Sequence, residues 1–200
     1  MKNLPSYLYL VLFLCVGFVY SPLVVDVVGI QWYYLSYLNL FFIIYIIYRK
    51  INKKTNYNLP LLFFKNPINL LYSLFFLFCI ISLIPSSNHS VSIIAISKIV
   101  ISLTSLFIFN ELGVFKKSNL KFVSILLSLS LFAEVFYSLR GYFEIIKVTD
   151  FQLTMAADYL KGTTGNKNIT GASIAFKLPF LYLLFFYFQN KYLKIRSEER

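Results

Sequence analysis

The sequence predicts an all-α, polytopic integral membrane protein: a helical bundle of about six transmembrane helices, with both ends of the chain in the cytoplasm. Three observations indicate this fold class. Hydrophobic residues make up 58% of the chain and charged residues only 14%, with a mean hydropathy of +0.71, whereas a soluble domain carries about 25% charged residues. Apolar runs long enough to cross about 30 Å of hydrocarbon recur along the chain. The basic residues fall mainly in the loops between these runs.

Six apolar runs of roughly 20 residues qualify as membrane spans. They are 7–25, 30–48, 68–85, 91–110, 120–139 and 169–188. Within lipid a helix satisfies its backbone groups inside its own segment, so each run is predicted to be helical. The runs are too long and too continuous for the strands of a membrane barrel. An uncleaved start of the signal-peptide type is the alternative interpretation of the first run, which no small-residue cleavage site follows.

The distribution of Lys and Arg predicts the direction of the spans. Basic residues gather in the loops on one side of the membrane, which the positive-inside rule assigns to the cytoplasm. They are Lys2, Arg49, Lys50, Lys53, Lys54, Lys65, Lys116, Lys117, Lys121, Lys191, Lys194, Arg196 and Arg200. Residues 26–29, 86–90 and 140–168 then form the outer loops. The net charge of +11 is explained by this topology and not by a nucleic acid partner, because no single soluble face collects the charges.

The predicted outer loop 140–168 contains a helical pattern of its own. Tyr142, Ile146, Leu153, Ala157 and Leu160 recur at roughly helical spacing between charged residues. This pattern predicts an amphipathic helix over 140–160, at the outer membrane interface or on the bundle. There is no internal repeat and no soluble region, so residues 1–200 are predicted to form one membrane domain.

Few ionisable residues lie within the predicted spans. They are Lys98, Glu134 and Lys177, with Asp26 at the end of the first span and Arg140 just beyond the fifth. In the predicted orientation each lies in the outward half of its helix. Charges in a span are costly and mark cavities or partners, so this placement predicts that the bundle handles a polar ligand from the outer side.

Each of these residues has a functional and a structural interpretation. Lys98, Lys177 and Arg140 are cations of the kind that bind a diphosphate group. The structural alternative is that Lys98 and Lys177 extend towards the head groups. The structural alternative for Glu134 is an ion pair with Lys98 or Lys177 at matching depth. Asp26 has the structural alternative of ending the first helix.

A glycine- and asparagine-rich turn directly precedes the last span. It runs from Gly162 through Thr163, Gly165, Asn166 and Asn168 to Ala172. Glycine lets the backbone approach a ligand closely, and Asn168 is a good N-cap for a helix that begins at Ile169. The free N–H groups of that helix end favour an anion at the outer face. The structural alternative is a tight turn and a cap with no ligand.

The pattern Gly162-Thr163-x-Gly165-Asn166-x-Asn168, followed by small residues and a helix that contains Pro179, resembles the O-antigen ligase and O-antigen polymerase superfamily. The resemblance implies a bacterial inner (cytoplasmic) membrane glycosyltransferase of lipopolysaccharide or polysaccharide biosynthesis. Its donor is an undecaprenyl-pyrophosphate-linked glycan. Its acceptor is lipid A–core sugar in ligases or a growing glycan in polymerases, and it needs no nucleotide sugar, metal or cofactor.

The residues predicted to bind the substrate come from two sources. The resemblance implies the turn residues that match the family pattern, Gly162, Thr163, Gly165, Asn166 and Asn168. Arg140, Lys177 and Lys98 are added because they are cations suited to a diphosphate. The family's catalytic arginines and histidine follow the turn, in a further span and a large outer loop. No position of this sequence matches them, so no catalytic residue is assigned. The chain is therefore expected to be the front part of a ligase-like domain and inactive by itself.

Two further classes of function fit parts of the same pattern. A small transporter or flippase for lipid-linked substrates would have broken spans and charges at mid-depth, which the off-centre Pro22, Pro85 and Pro179 disfavour. A non-catalytic membrane subunit needs neither feature. Cys15 and Cys79 are interpreted as small buried hydrophobic residues, and His89 as a solvated loop residue.

Overall fold

The computed structural model of the chain describes residues 4–19, 27–53, 63–146, 160 and 167–198. These residues form helices and short turns, and none of them lies in a strand. The helices are α1 (Leu4–Val16), α2 (Val27–Lys53), α3 (Pro67–Ile81), α4 (His89–Leu112), α5 (Leu120–Ile146) and α6 (Lys167–Glu198). A 3-10 turn, Lys117–Asn119, precedes α5.

Four described helices are long and apolar enough to cross a membrane. Their apolar stretches are Val28–Asn52, His89–Leu112, Lys117–Glu144 and Asn168–Gln189. Large side chains such as Phe78, Phe136 and Phe176 are exposed along these and neighbouring helices, as lipid contact requires and water disfavours. The all-α, multi-pass membrane fold is thus confirmed. The number of six spans and the cytoplasmic location of both ends remain predictions.

The two remaining predicted spans coincide with shorter helices. The span predicted over 7–25 coincides with α1, which ends at Val16. After Val16 the chain tightens into i→i−3 hydrogen bonds at Gly17, Phe18 and Val19, a common way to close a last helical turn. Gln31 Nε2 donates to the Gly17 carbonyl at 3.0 Å. Residues 20–26, including Asp26, lie outside the described residues.

Helix α3 corresponds to the span predicted over 68–85. It begins where Asn66 Oδ1 accepts a hydrogen bond from the Ile68 N–H at 3.0 Å, with Pro67 in the first turn, and both residue types favour a helix start. The α-helix ends at Ile81, and 3-10-type hydrogen bonds continue the coil as far as Ser86. The 15 α-helical residues alone span about 22 Å.

Helix α4 has a defined signal at each end. Asn88 Oδ1 accepts from the Val91 N–H at 3.2 Å at its start. At its end, Gly113 adopts a left-handed conformation (φ 64°). Its N–H bonds to the Asn110 carbonyl, while the Val114 N–H bonds to the Phe109 carbonyl. This is the Schellman arrangement, which glycine permits without strain.

The described residues fall into two compact units. The first comprises those within 1–9 and 32–114, and the second those within 10–31 and 115–200. That residues 1–200 form one membrane domain remains a prediction.

The first unit has a polar centre inside an apolar core. Tyr9 is fully buried, and its ring packs edge-on against Phe42 and Phe109 at centroid distances of 4.8 and 5.0 Å. Its hydroxyl donates to Asn39 Oδ1 at 2.8 Å, and Asn39 Nδ2 donates to Ser105 Oγ at 2.9 Å. The three helices α1, α2 and α4 are therefore joined by neutral hydrogen bonds, which hold helices together in lipid where the hydrophobic effect does not.

The second unit is built on α5, the most buried of the four long helices. Val123, Leu127 and Leu131 form its apolar inner face, and α6 packs along it. Helix α5 continues to Ile146, beyond the predicted span end at residue 139. Residues 140–146 are therefore helical, as the amphipathic pattern over 140–160 predicts, and they continue α5. The rest of the predicted amphipathic helix falls largely on 147–159, outside the described residues.

Three smaller predictions concern exposed residues. Cys15 is exposed and Cys79 partly exposed, so Cys15 lies on the outside of an apolar helix rather than in its core. His89 is exposed, as predicted, but it is the first residue of α4 rather than a loop residue. Asn168 lies in the first turn of α6, which begins at Lys167, and not at the capping position.

Candidate functional site

The second unit contains a buried charged cluster between α5 and α6, which consists of Ser130, Glu134, Ser173 and Lys177. The Lys177 ammonium bonds to the Glu134 carboxylate and donates to Ser130 Oγ at 3.0 Å. The Ser173 hydroxyl lies 3.0 and 3.2 Å from the two Glu134 oxygens. Glu134 and Lys177 expose only 6% and 7% of their surface. Of the two structural alternatives for Lys177, the ion pair with Glu134 is the one observed.

The two helices supply the cluster in the same way. Ser130 and Glu134 are four residues apart on α5, and Ser173 and Lys177 are four apart on α6, so each pair shares one helix face. Ser173 contacts Glu134. Lys177, one turn later on α6, reaches Ser130, one turn earlier on α5. The two helices therefore pack antiparallel, as consecutive spans must.

Burial makes this cluster energetically sensitive. A charge in a low-dielectric environment is costly unless a partner and hydrogen bonds compensate it. Here the ammonium has a carboxylate and a hydroxyl, and the carboxylate has the ammonium and a second hydroxyl. The cluster is net neutral, and the removal of one charge would leave the other buried without compensation.

The cluster lies closer to one end of its helices than to the other. At 1.5 Å per residue, Lys177 is about 14 Å from Asn168 and about 18 Å from Gln189. Glu134 is about 15 Å from Glu144 and about 26 Å from Lys117. The pair thus lies in the half of each span that the sequence analysis assigns to the outer side, with Lys177 close to mid-depth.

Arg140 lies on α5 beyond this cluster and does not join it. Its Nε donates to Glu144 Oε1 at 2.8 Å, four residues along the same helix, and both side chains are exposed. A surface pair of this kind leaves the guanidinium available to a second anion, because arginine has five N–H donors in a planar fork.

Lys98 belongs to the first unit, on α4, whereas the charged cluster belongs to the second. Its side chain is partly buried, and its carbonyl accepts from the Ser102 hydroxyl at 2.9 Å. Within the described part of the chain no ion pair includes Lys98. Of the predicted binding residues, Lys177 is held in the charged cluster by Glu134, which the sequence analysis interpreted as an ion-pair partner and not as a binding residue.

The remaining predicted site residues belong to the glycine–asparagine turn. Gly162, Thr163, Gly165 and Asn166 lie outside the described residues, and α6 begins at Lys167, directly after them. Asn168 is exposed in the first turn of α6. The N-terminal end of α6 thus lies immediately beside the turn, as the anion-site hypothesis requires.

Sequence reasoning missed Ser130 and Ser173. The signal was present, since each hydroxyl residue stands four positions before a charged residue on an apolar helix. This spacing places the hydroxyl and the charge on one helix face, although the hydrogen bonds that form cross to the other helix. Among the residues that the structure describes, no three His, Cys, Asp or Glu side chains are placed to hold a metal ion.

The first unit contains an apolar groove with a volume of about 410 Å³. Phenylalanine rings line much of it, from the segment before α3, from α3 itself and from α4, and Ile43 of α2 closes one wall. The ring residues are Phe63, Phe64, Phe76 and Phe107. With few polar groups in its lining, the groove suits a hydrocarbon chain rather than a sugar.

The fold and the cluster define the class of this molecule: a multi-pass helical membrane protein with a buried ion pair between two adjacent spans. Comparison with known proteins finds no family model, no curated protein and no solved structure that matches the chain. The resemblance to O-antigen ligases and polymerases therefore rests on the residues of the turn and of the helix that follows it.

Proposed function

We propose that this chain is an O-antigen ligase-like membrane protein. It takes part in the transfer of a polyprenyl-pyrophosphate-linked glycan to lipid A–core, or to a growing glycan, at the outer face of the bacterial inner membrane. The observation that carries the proposal is the position of α6. This helix begins directly after the turn Gly162–Asn166 and carries Lys177 within its length.

The proposed anion site has two parts, one on α6 and one on α5. The first is the N-terminal end of α6, where the positive end of the helix dipole favours a pyrophosphate. The second is Arg140, an exposed cation near the end of α5. Because α5 and α6 are antiparallel, the late residues of α5 and the early residues of α6 belong to the same side of the membrane.

The charged cluster lies deeper in the span than the proposed anion site, and its proposed role is structural. Lys177 is compensated by Glu134, so its proposed role is to fix the pairing of α5 with α6, and hence the position of the α6 N-terminus. Direct contact between Lys177 and the pyrophosphate is not required. This assignment narrows the substrate-contacting residues to the turn, Asn168 and Arg140.

The apolar groove of the first unit, taken by itself, is of a kind that binds hydrocarbon. Its phenylalanine rings and leucines offer such a chain van der Waals contact without polar cost. The proposal does not distinguish a ligase from a polymerase, because both use the same donor.

The test uses the gene in its own bacterium and compares Arg140→Ala with Glu144→Ala. Both changes break the same surface ion pair, but only the first removes a cation. If Arg140 binds the pyrophosphate, we expect Arg140→Ala to lower glycan transfer by about 100-fold, the typical cost of losing a charge-stabilising donor. Glu144→Ala should leave transfer near normal. The measurements are the glycan ladder of the cell envelope and the amount of protein in the membrane.

Asn166→Ala provides an independent arm of the same test. We expect it to abolish transfer while the protein still inserts, because the turn would lose a polar contact without losing its glycines. Normal transfer in both Arg140→Ala and Asn166→Ala would refute the outer-face anion site and with it the proposed function.

A second candidate is a non-catalytic membrane subunit. The observation that favours it is the neutral, internally satisfied cluster, which needs no ligand to compensate its charges. This candidate predicts that both variants transfer glycan normally. The transporter alternative is disfavoured because α6 continues as a helix through Pro179, whereas broken spans are typical of that class.

A further inference from the structure

The apolar groove of the first unit is bordered at one end by an exposed cation. Phe63 and Phe64 line the groove, and Lys65 follows them directly in the chain. Lys65 is exposed, and within the described residues no ion pair includes it. Lys50, by contrast, is held by Glu111 at 2.6 Å. An anion at this end of the groove would therefore meet a positive charge that no carboxylate compensates.

Hydrogen bonds fix the segment that carries these residues. Asn69, which is buried in the first turn of α3, donates from Nδ2 to the Phe63 carbonyl at 3.1 Å. Its Oδ1 accepts from Asn110 Nδ2 of α4 at 3.3 Å. The positive end of the α3 dipole lies beside Lys65 and favours the same sign of charge. The groove and its cation are thus positioned by the protein itself, without a ligand.

The lining of the groove is apolar in effect even where its residues are polar. Ser73 and Thr104 are the two hydroxyl residues in the lining. Each hydroxyl donates at 2.8 Å to the carbonyl four residues earlier on its own helix, that of Asn69 or Val100. Hydroxyls satisfied in this way are not left to bind a polar ligand, so the lining suits hydrocarbon along its whole length.

The groove covers the depth of one leaflet. Helices α3 and α4 pack antiparallel, because Asn69 at the start of α3 contacts Asn110 near the end of α4. The lining residues of α3 lie within 73–77, which is about 9–15 Å from Pro67 along the helix. Each leaflet contributes about 15 Å of hydrocarbon. The groove therefore extends from the end of α3 that carries Lys65 to about the middle of the membrane.

The groove is also open to the surrounding lipid. Phe64 and Leu77, near its two ends, expose 47% and 53% of their surface. A hydrocarbon chain can therefore enter the groove sideways from the bilayer.

We propose that the groove holds one acyl chain of an anionic phospholipid, with the headgroup phosphate bound by Lys65. The lipid comes from the leaflet on the side where the basic residues gather, because Lys65 lies on that side. A lipid-linked substrate of the opposite leaflet would place its charge at the other end of the groove, where Lys65 does not reach. The proposal depends only on the first unit, so it is independent of the glycan function.

The first test places a fluorescent reporter on the groove. Trp32 is the only tryptophan of the chain, so in a Trp32→Phe background Leu77→Trp carries a single reporter on the groove. Phe78→Trp is the matched control at nearly the same depth, since Phe78 is 69% exposed and lies outside the lining. Each variant is reconstituted in phosphatidylcholine vesicles that contain some phosphatidylglycerol, with bromine on the acyl chains of one lipid or the other. Bromine quenches a tryptophan that it contacts.

We expect brominated phosphatidylglycerol to quench Leu77→Trp about fivefold more effectively than its share of the lipid predicts, the size of one attraction between a lysine and an anionic headgroup. Phe78→Trp should show a ratio near one. Adding Lys65→Ala to Leu77→Trp should remove the preference. Adding Lys117→Ala should retain it, because Lys117 is an exposed lysine of the second unit.

Three results would overturn the proposal. One is an equal preference in Leu77→Trp and Phe78→Trp, and another is a preference that persists in Lys65→Ala. The third is that neither brominated lipid quenches Leu77→Trp, as expected if a second copy of the chain or another segment of it fills the groove.

The second test needs no tryptophan and also covers a Leu77→Trp variant that fails to fold. The unchanged protein in detergent is given equal amounts of phosphatidylglycerol and phosphatidylcholine, and native mass spectrometry counts the bound lipids. We expect phosphatidylglycerol to be retained preferentially. Thr104→Phe, which fills the groove, should abolish this retention, whereas Thr104→Val keeps the groove open and should preserve it. Lys65→Ala, a surface change, should retain both lipids equally. Preferential retention in Thr104→Phe or in Lys65→Ala would contradict the lipid site.

Discussion

In the first unit, Asn39 is the centre of a neutral hydrogen-bond network with Tyr9 and Ser105. In the second unit the buried polar centre is a Glu134–Lys177 ion pair, and three buried serine hydroxyls of α5 have no hydrogen-bond partner among the described residues. The first arrangement joins three helices with groups that are inexpensive to bury. The second retains two charges and unpaired hydroxyls inside α5 and α6, which packing alone does not require. The comparison shows that the two units bury polar groups of different cost, neutral groups in the first and an ion pair in the second.

The largest expected effect comes from breaking the ion pair. Lys177→Met should lower the free energy of unfolding by about 3–5 kcal/mol, because Glu134 is left buried and uncompensated. The measurement is the SDS-induced unfolding of the purified protein in mixed micelles. The double variant Lys177→Met, Glu134→Leu serves as control and should recover most of the loss, since no charge remains. If the double variant is as unstable as the single one, the loss of stability does not come from an uncompensated charge on Glu134.

A smaller effect is expected from the neutral network. Asn39→Ala removes the partner of Tyr9 and of Ser105, and should cost about 1–3 kcal/mol, the usual penalty for buried groups left unsatisfied. The same unfolding assay measures it. Tyr9→Phe keeps the ring contacts with Phe42 and Phe109 and removes one hydrogen bond, so its cost should be about 1 kcal/mol. A loss in Asn39→Ala as large as that in Lys177→Met would remove the contrast between the two units.

The smallest effect on stability is expected at the surface of α5. Arg140 and Glu144 are exposed, and solvent screens such a pair so that it contributes little to folding. Arg140→Ala and Glu144→Ala should therefore unfold at the same SDS fraction as the unchanged protein. A clear loss of stability in Arg140→Ala would mean that a fall in its glycan transfer reports on folding and not on ligand binding.

Much of the fold follows from the sequence because lipid imposes strong constraints. Long apolar runs have to be helical in a membrane, so the positions of α2, α4, α5 and α6 were predictable. The exact ends were not, since they depend on local caps. Gly113 ends α4 through its left-handed conformation, whereas α5 continues past Gly141 to Ile146.

Of the charged cluster between α5 and α6, only the two charged residues were predictable from the sequence. The sequence places Glu134 and Lys177 in adjacent spans, and the interpretation of Glu134 as part of an ion pair proved correct. The choice of Lys177 over Lys98 depends on tertiary packing, because both lysines lie at similar depth in apolar helices. The spacing of Ser130 and Ser173 to the charges predicts only a shared helix face, because each hydroxyl bonds to the charged residue of the other helix. The unpaired state of Ser124 and Ser128 was not predictable, because other serines with the same helical context bond to their own backbone.

Under the proposed function, glycan transfer depends on the charged cluster of the second unit and not on the network of the first. The most direct measurement compares glycan transfer in Ser173→Ala and Ser105→Ala, each of which removes one hydroxyl from a buried polar centre. At equal amounts of folded protein in the membrane, we expect Ser173→Ala to reduce the glycan ladder and Ser105→Ala to leave it unchanged. Equal ladders in the two variants, or a loss confined to Ser105→Ala, would contradict the account.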